Sequence, residues 1–563
     1  MANIKIMALG GLGEQGKNMY VIEINSNIFV LDAGIKYPEI DMYGVDAVVP
    51  DISYLINNKK RIQGIFLSHG HEDNVGAIPY LLQRLQTRVY GTHYTLSLVE
   101  DLMKSNKMDI KKYKLFRVND NKVLKFNDVT CSFFNTTHGV PESVGIALST
   151  EDGSIIYATD FSFNPETEDY YKVSYEKVTD LGKEKVLAVL AESVGTSSIG
   201  RPTDYSRFEY SFNNILNNTE KRVVVAVYSS DLLRIQKAIN IAISKGKKVA
   251  FLGRGSERLI NLAKTTNYIN IPEKDIISLK YIDEHNTNDI DNLVVFVTGL
   301  RNEPYASLMR MAKHEDRLIH IKKGDAIVVM CPPMAGSELY TTNAINELYK
   351  SDASIKVFEK KDLCGNHANG SDLKTLYSIL KPKFIIPIKG EYRHIYEHSQ
   401  VALKMGYFKE QILQLDNGEM VEFVNGEVEG YQTYPLTDVY VNGSLIGGVN
   451  DKVIKERETL AEEGVIIVNI VFDVRTRKLI GEPTCLTRGF TYKMADEQLC
   501  EIVGGIATKI MNNALQRKSF DIEQLKDVLE NEISNQLFRF TKHRPIIMLS
   551  IAELNKPKIK NKE

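Results

Sequence analysis

Residues 66–76 read Phe66-Leu67-Ser68-His69-Gly70-His71-Glu72-Asp73-Asn74-Val75-Gly76, and this stretch decides the fold. A run typical of a buried strand ends in a turn with histidines and carboxylates, and a helical pattern follows. Alternate residues at a strand end converge on one point, and imidazole and carboxylate groups bind zinc or manganese. The stretch therefore predicts a metal site. The simpler alternative is a polar turn in which Asp73 caps the helix.

The sequence around this stretch predicts a layered fold. Many apolar runs in the first 190 residues are continuous, as in strands that are buried on both faces. Strands are predicted over 4–7, 19–24, 28–31, 64–67, 88–90, 132–134, 155–157 and 186–190, and helices over 75–85 and 95–104. Such an alternation is typical of α/β proteins.

A second series of strands and helices follows, and after it comes a separate carboxy-terminal region. Residues 206 to about 355 predict strands over 223–227, 248–251, 293–297 and 326–330, and helices over 232–243 and 306–312. Turn residues become frequent after Pro435, which indicates a boundary. Beyond it the pattern predicts strand, strand, helix, helix, strand, with strands at 465–472 and 546–551 and helices at 496–516 and 521–541.

Length and composition are those of an ordinary globular protein. The 563 residues exceed what one core holds, so about three domains are expected. Hydrophobic residues make up 43% and charged residues 25% of the chain. No apolar run approaches the roughly 18 residues of a membrane helix. With no signal peptide before the first strand, we expect a cytoplasmic protein with no membrane partner.

Cysteine usage and charge exclude some classes of site. The five cysteines are far apart and never spaced C-x-x-C, which argues against disulfides and against a thiolate zinc site. The formal net charge is −2, whereas nucleic-acid binders often carry a basic balance. RNA binding would therefore use a local groove, because the short basic tail 556–562 is more simply explained as solvated.

The metal-binding stretch and its surroundings resemble one family. The segment HGHED (69–73) is similar to the signature of metallo-β-lactamase-type hydrolases, and the flanking motifs narrow the resemblance to the ribonuclease J family. These motifs are GGLGEQGKN (10–18), LDAG (31–34), PE (38–39), VPDISY (49–54), PY (79–80), NTTH (135–138), TDF (159–161), FLGR (251–254), TG (298–299), EP (303–304), GEY (390–392) and RGF (488–490). The resemblance extends from about residue 4 to about residue 551.

The resemblance implies a fold and its domains. The expected fold is α/β: a metallo-β-lactamase αββα sandwich with an inserted β-CASP domain and a small α+β carboxy-terminal domain. The expected core spans 1–205 and 356–435, and the β-CASP domain spans 206–355. A linker is expected at 436–455 and the last domain at 456–563.

The resemblance also implies two ions, taken as zinc or manganese. His69, His71 and His138 would hold one ion, and Asp160 would bridge both. These residues are all present, so one well-formed ion site per chain is expected.

The second ion would lack ligands. It would need Asp73, which is present with an implied catalytic role, and histidines where this chain has Asn74 and Lys389. An amide offers only a neutral oxygen, and an ammonium has no lone pair. We hypothesise that Lys389 faces the position of this ion and balances Asp73 and Asp160. A cation about 4 Å from a carboxylate gains roughly 4 kcal/mol at an effective dielectric of about 20. The alternative is a solvent-facing Lys389 with a weakly held ion.

Two further segments resemble phosphate-binding parts of the family. In the loop Cys364, Gly365, Asn366, His367 and Ala368, the family's Ser-Gly pair is changed to Gly-Asn. His367 keeps the position of a catalytic general acid or phosphate ligand, and the loop's backbone N–H groups would cradle a 5′-phosphate. Ser230 and Arg234 lie in the second segment, where Asp231 and Leu233 replace polar groups, and Glu192 stands where the family has Asp.

The resemblance implies RNA hydrolysis from a 5′-monophosphate end, with internal cleavage as a further activity. Because ligands of the second ion are lost, a low rate is expected. The alternative is an RNA-binding scaffold that supports an active paralogue, since the chain looks like the weaker of two ribonuclease J paralogues of Gram-positive bacteria. A homodimer, heterodimer or tetramer is expected. A small-molecule hydrolase such as a lactonase shares the turn, but the additional domains argue against it.

Overall fold

The computed structural model describes residues 2–39, 41–164, 169–197, 205–278, 291–334, 336–363, 365–443, 445–490, 496–517 and 519–555. The chain divides into two compact units. The first is Met1–Tyr37 with Ala47–Val439, and the second is Pro38–Asp46 with Tyr440–Glu563. The basic tail 556–562 lies outside the described residues.

Two sheets pack face to face in the first unit. One has the strand order Glu427–Thr433, Glu419–Val424, Asn3–Gly10, Met19–Ile24, Asn27–Leu31, Ile62–Phe66, Arg88–Gly91, Lys114–Arg117. The other has the order Phe384–Ile388, Val186–Glu192, Gly153–Ala158, Val144–Thr150, Val129–Asn135, Val123–Phe126. Side chains of both sheets, such as Phe66 and Tyr157, share one core. The continuous apolar runs arise because both faces of these strands are covered.

Helices complete the αββα sandwich that the resemblance implies. Tyr175–Lys183, Gly370–Leu380 and Tyr392–Lys404 pack on the outer face of the second sheet. Ser53–Asn57, Glu72–Val75, Ile78–Arg84 and His93–Ser105 connect strands of the first sheet. The helix expected over 75–85 is interrupted, because Pro79 lies in the first turn of Ile78–Arg84 and has no N–H to continue a helix. Among the described residues, no helix has the length and apolar character needed to cross a membrane.

A parallel sheet is inserted between two neighbouring strands of the sandwich. Its order is Lys248–Leu252, Leu293–Gly299, Val223–Tyr228, Ala326–Val329, Ser354–Val357. Helices Tyr205–Asn217, Leu232–Ser244 and Arg254–Thr265 share a core with one face, and Glu303–Ala312 and Glu338–Leu348 with the other. The chain enters from Val186–Glu192 and returns to Phe384–Ile388, which pair in parallel. The strands predicted here are confirmed, whereas the boundaries 206–355 remain a prediction.

The second unit is a small α+β domain. Its central strand Val465–Asp473 pairs antiparallel with Thr484–Arg488 and Lys478–Leu479 and parallel with Ile546–Leu554. Helices Asp496–Leu515 and Ile522–Thr541 share one core with this sheet.

The segment predicted as a linker, 436–455, contains regular structure. Strands Val439–Asn442 and Leu445–Ile446 lie in it, and so does the start of helix Asp451–Glu463. The sequence pattern did not indicate this helix, because most of its residues are polar or charged and none of them is buried.

Candidate metal centre

The predicted site residues follow strands of both sheets of the sandwich. Ile62–Phe66 leads to His69 and His71, Val129–Asn135 to His138, Gly153–Ala158 to Asp160, and Phe384–Ile388 to Lys389. Asp160 and Lys389 adopt left-handed φ angles of 48° and 58°. Non-glycine residues rarely adopt this conformation, and it is concentrated at functional sites.

Three imidazoles face one another. The ring centroids of His69, His71 and His138 lie 4.9, 4.8 and 4.7 Å apart. One nitrogen of each ring lies within 4.8 Å of the other two. His69 Nε2 also lies 3.1 Å from Asp160 Oδ2. Three imidazoles and a carboxylate are a donor set that zinc and manganese accept.

Contacts with backbone carbonyls determine which nitrogen carries the proton on two of these rings. His138 Nδ1 donates to the Asn366 carbonyl at 2.6 Å, and His71 Nε2 lies 3.4 Å from the Ser230 carbonyl. Burial lowers the pKa of His71 to about 4 and holds that of His138 well below its usual value, so both rings are neutral. Because a carbonyl only accepts, His71 Nδ1 and His138 Nε2 carry lone pairs that face each other at 3.0 Å. Such a pair fits a cation, since metal-binding histidines typically donate their other N–H to a carbonyl.

Asp73 belongs to the same site and does not cap the helix. It lies in the first turn of Glu72–Val75, where His71 occupies the cap position and no side chain makes a capping hydrogen bond. The simpler explanation of the turn is therefore wrong.

Lys389 contacts both carboxylates, as hypothesised from the sequence. Its Nζ lies 2.9 Å from Asp73 Oδ2 and also contacts Asp160 Oδ2. Only 4% of Lys389 is exposed, so the alternative of a solvent-facing lysine is wrong. Burial lowers the pKa of Lys389, but Asp160 and Asp73 raise it above its usual value, and the group stays an ammonium. Burial alone would raise the pKa of Asp160, but the Lys389 ammonium holds that pKa well below its usual value.

Asn74 connects Lys389 to a carboxylate that the sequence analysis did not assign. Its Oδ1 accepts from Lys389 Nζ at 3.1 Å, and its Nδ2 donates to Asp32 Oδ2 at 2.6 Å. Ser68 Oγ and Tyr157 Oη also donate to Asp32, at 2.7 and 2.6 Å. The LDAG motif at 31–34 was the signal for Asp32, but its partners are distant in sequence.

His367 lies between two buried carboxylates. Its Nδ1 is 2.8 Å from Asp160 Oδ1 and 2.7 Å from Glu192 Oε2. Burial lowers the pKa of His367, but Glu192 and the hydrogen bonds to both carboxylates outweigh burial and raise it to about 10. The ring is therefore an imidazolium at neutral pH. Asp160, Glu192 and His367 also form a second group with the spacing of metal ligands.

Several of the expected phosphate-binding residues are engaged by other protein groups. In the loop, Ala368 N donates to Glu192 Oε1 at 2.9 Å, Asn366 is bonded to His138, and Gly365 is exposed. Cys364 lies outside the described residues. Across from the loop, the Ser230 carbonyl faces His71, and Arg234 Nη1 lies 2.7 Å from Asp231 Oδ2.

Four family models match successive segments of the chain. The metallo-beta-lactamase superfamily model matches residues 12–193, and the ribonuclease J beta-CASP domain model matches 220–348. The Zn-dependent metallo-hydrolase RNA specificity domain model matches 366–411, and the ribonuclease J C-terminal domain model matches 452–554. With the site described above, these matches define a metal-dependent hydrolase of the metallo-β-lactamase class with an inserted β-CASP domain. The expected fold class is confirmed.

Two curated relatives show which family within this class the chain belongs to. Ribonuclease J 2 of Staphylococcus aureus (strain MRSA252) and Ribonuclease J 2 of Staphylococcus epidermidis (strain ATCC 35984) are each 32% identical to this chain over 552 residues. These residues are 98% of this chain and 98% of each relative. The chain belongs to the ribonuclease J family, and the alternative of a small-molecule hydrolase is wrong.

A solved structure supports the fold alone. The crystal structure of a protein of unknown function from Enterococcus faecalis V583 matches with a TM-score of 0.51 at 14% identity. The match covers 75% of this chain and 100% of that chain.

Proposed function

We propose that this chain hydrolyses RNA slowly in the cytoplasm with one divalent ion, zinc or manganese, and with the Lys389 ammonium in place of a second ion. His69, His71, His138 and Asp160 would hold the ion. The observation that carries the proposal is the contact of Lys389 Nζ with both Asp73 and Asp160. A second dication beside that buried ammonium would face direct charge repulsion.

An ion held by these residues would supply Lewis acidity to activate water and to polarise a phosphate oxygen. Lys389 neutralises charge on Asp73 and Asp160, so less negative charge faces the RNA backbone. Glu192 accepts from Phe161 N at 2.7 Å and Ala368 N at 2.9 Å, which fixes its carboxylate against His367. In this proposal the His367 imidazolium gives a proton to the leaving oxygen, and its contact with Glu192 supports that role.

The low rate follows from the missing second ion. Two-metal sites stabilise both the attacking and the leaving oxygen, whereas Lys389 is already paired with two carboxylates. Action from the 5′ end, internal cleavage and a part in RNA processing and decay are implied by the family. The family also implies a 5′-monophosphate end, but Arg234, which was expected to bind that phosphate, is paired with Asp231 in this chain.

A second candidate function is an RNA-binding scaffold that supports an active ribonuclease J paralogue as a heterodimer or tetramer, or acts as a homodimer. The same contacts favour it, because Lys389, Asn74 and Asp32 form a bonded network that needs no ion. A chain with this network keeps its folded site even if hydrolysis is lost.

The test uses the full-length protein, purified without paralogues. Elemental analysis after exposure to excess manganese should give about one ion per chain, and His71→Ala should remove it and abolish RNA hydrolysis. His314→Asn is the matched control, since His314 is exposed and asparagine tolerates its left-handed φ of 57°. Two ions per chain, or hydrolysis unaffected by His71→Ala, would overturn the proposal. Retained RNA binding and one ion without hydrolysis would favour the scaffold.

A further inference from the structure

A buried carboxylate lies at the amino end of helix Leu232–Ser244. Asp231 is 7% exposed, and its Oδ1 accepts a hydrogen bond from Arg234 N at 3.2 Å, which caps the helix. Its Oδ2 lies 2.7 Å from Arg234 Nη1 and 3.3 Å from Asn366 Nδ2. A backbone N–H, a guanidinium and an amide thus converge on one carboxylate.

These three donors form an anion site whose occupant belongs to the protein. A helix amino terminus carries a partial positive charge, and a guanidinium forms strong charge-assisted bonds to carboxylate or phosphate. Arg234 is itself buried, at 5% exposed. The negative group that satisfies these donors is the side chain of Asp231, which cannot leave because it is part of the chain.

The site adjoins two of the proposed metal ligands. The carbonyl of Ser230, next to Asp231, lies 3.4 Å from His71 Nε2, and the carbonyl of Asn366 accepts from His138 Nδ1 at 2.6 Å. A Cβ atom built on Gly139, which follows His138, would lie only 3.4 Å from Asp231 Oδ1. An RNA strand reacting at these ligands would therefore bring a neighbouring phosphate toward this carboxylate.

We propose that the Asp231 carboxylate occupies the place of a terminal phosphate, so that this chain does not select RNA by its 5′-phosphate. This inference rests on the proposed function and specifies its substrates as RNA with either a 5′-hydroxyl or a 5′-phosphate end. A phosphate beside Asp231 would add like charge to a buried carboxylate, and one guanidinium does not neutralise both. Asp231 is thus a specificity-determining residue.

The test compares two ends of one RNA. A fluorescent 2′-O-methyl oligoribonucleotide, which resists hydrolysis, is prepared with a 5′-phosphate or a 5′-hydroxyl, and both dissociation constants are measured by anisotropy with the full-length protein. The wild type should bind both within about twofold. Asp231→Asn keeps a good helix cap but removes the charge, and should favour the phosphorylated end by about tenfold.

Asp325→Asn is the matched control. Asp325 is as buried as Asp231 and pairs with Arg222, but it lies at the amino ends of the same parallel strands. This variant should leave the ratio of dissociation constants unchanged. A preference for the phosphorylated end caused equally by Asp325→Asn would overturn the assignment to Asp231.

Further results would also overturn the assignment to Asp231. A wild type that prefers the phosphorylated end by about tenfold would overturn the assignment. So would a folded Asp231→Asn protein that still binds both ends equally. If Asp231→Asn does not fold, Asp231→Ser replaces it, because serine also caps helices. If neither oligonucleotide binds, both the proposed RNA function and the assignment to Asp231 fail. If every variant binds both oligonucleotides equally, only the assignment to Asp231 fails.

Discussion

Asn74 and Lys389, which stand where two metal-binding histidines are expected, are hydrogen-bonded to each other, Nζ to Oδ1, at 3.1 Å. The other end of the Asn74 amide donates to the buried carboxylate of Asp32 at 2.6 Å. The two replacements therefore belong to one hydrogen-bonded network with Asp32. Changing either residue alone removes one hydrogen bond of the other, so the effects of the two changes should not be additive.

The first prediction concerns restoring the second ion. Asn74→His combined with Lys389→His removes the ammonium and supplies two imidazoles beside Asp73 and Asp160. The double variant should bind about two manganese ions per chain and hydrolyse RNA at least about tenfold faster than the wild type. Elemental analysis and initial rates measure both effects.

The single variants are the controls for this prediction. Asn74→His leaves the ammonium in place, and Lys389→His leaves an amide at position 74, so each alone should stay near one ion per chain. A double variant that is folded but still binds one ion would show that the ammonium is not what excludes the second.

The second prediction concerns stability. In metal-free protein, Lys389→Met leaves Asp160, which is fully buried, and Asp73 without the neighbouring cation. Breaking a buried ion pair on one side typically costs about 3–5 kcal/mol. Denaturant unfolding should therefore show a loss of that size in the transition of the first unit.

Lys383→Met is the matched control for stability, because Lys383 pairs with the largely exposed Glu427. Exposed pairs contribute about 1 kcal/mol or less, so this variant should change the free energy of unfolding little. Equal effects of the two substitutions would contradict a structural role for the Lys389 ammonium.

Much of the core of this site is visible in the sequence because its chemistry is local. His69 and His71 follow a strand directly, and the two altered positions were recognised from their motifs. The contact of Lys389 with Asp73 and Asp160 was hypothesised because the resemblance puts Lys389 at a ligand position and its charge can balance two carboxylates. Continuous apolar runs likewise predicted most strands, since burial on both faces leaves a clear pattern.

What the sequence did not show depends on long-range packing. Glu192 meets His367 across 175 positions, and Asn366 meets Asp231 across 135. No local spacing marks such pairs. Arg234 was expected to bind phosphate because its segment resembles a phosphate-binding part of the family. Its pairing with Asp231 depends on the turn that begins a helix.

The third prediction concerns Asn366 as a positioning residue. Its side chain is bonded to Asp231, and its Oδ1 accepts from Tyr205 Oη at 3.3 Å, while its carbonyl orients His138. Asn366→Ala removes both side-chain anchors, so the carbonyl should orient His138 less well. Partners of metal-binding histidines typically contribute about 10–100-fold in metal affinity. A loss of affinity in that range is expected, and competition with a chelator measures it.

The control is Asn240→Ala, at an exposed position, which should leave the metal affinity unchanged. Unaltered affinity in Asn366→Ala would contradict the role.

The last prediction separates two roles for Glu192. If Glu192 acts by holding the His367 imidazolium, Glu192→Gln should keep the bound ion and lower the rate by about a hundredfold or more, the scale of general acid catalysis. Glutamine still offers an oxygen to Phe161 N and Ala368 N, so the local fold should persist. Glu391→Gln is the control, since Glu391 is only partly buried and its carboxylate pairs only with Arg393 and Gln15 among the contacts described. Loss of the ion itself in Glu192→Gln would instead make Glu192 a metal ligand together with Asp160 and His367.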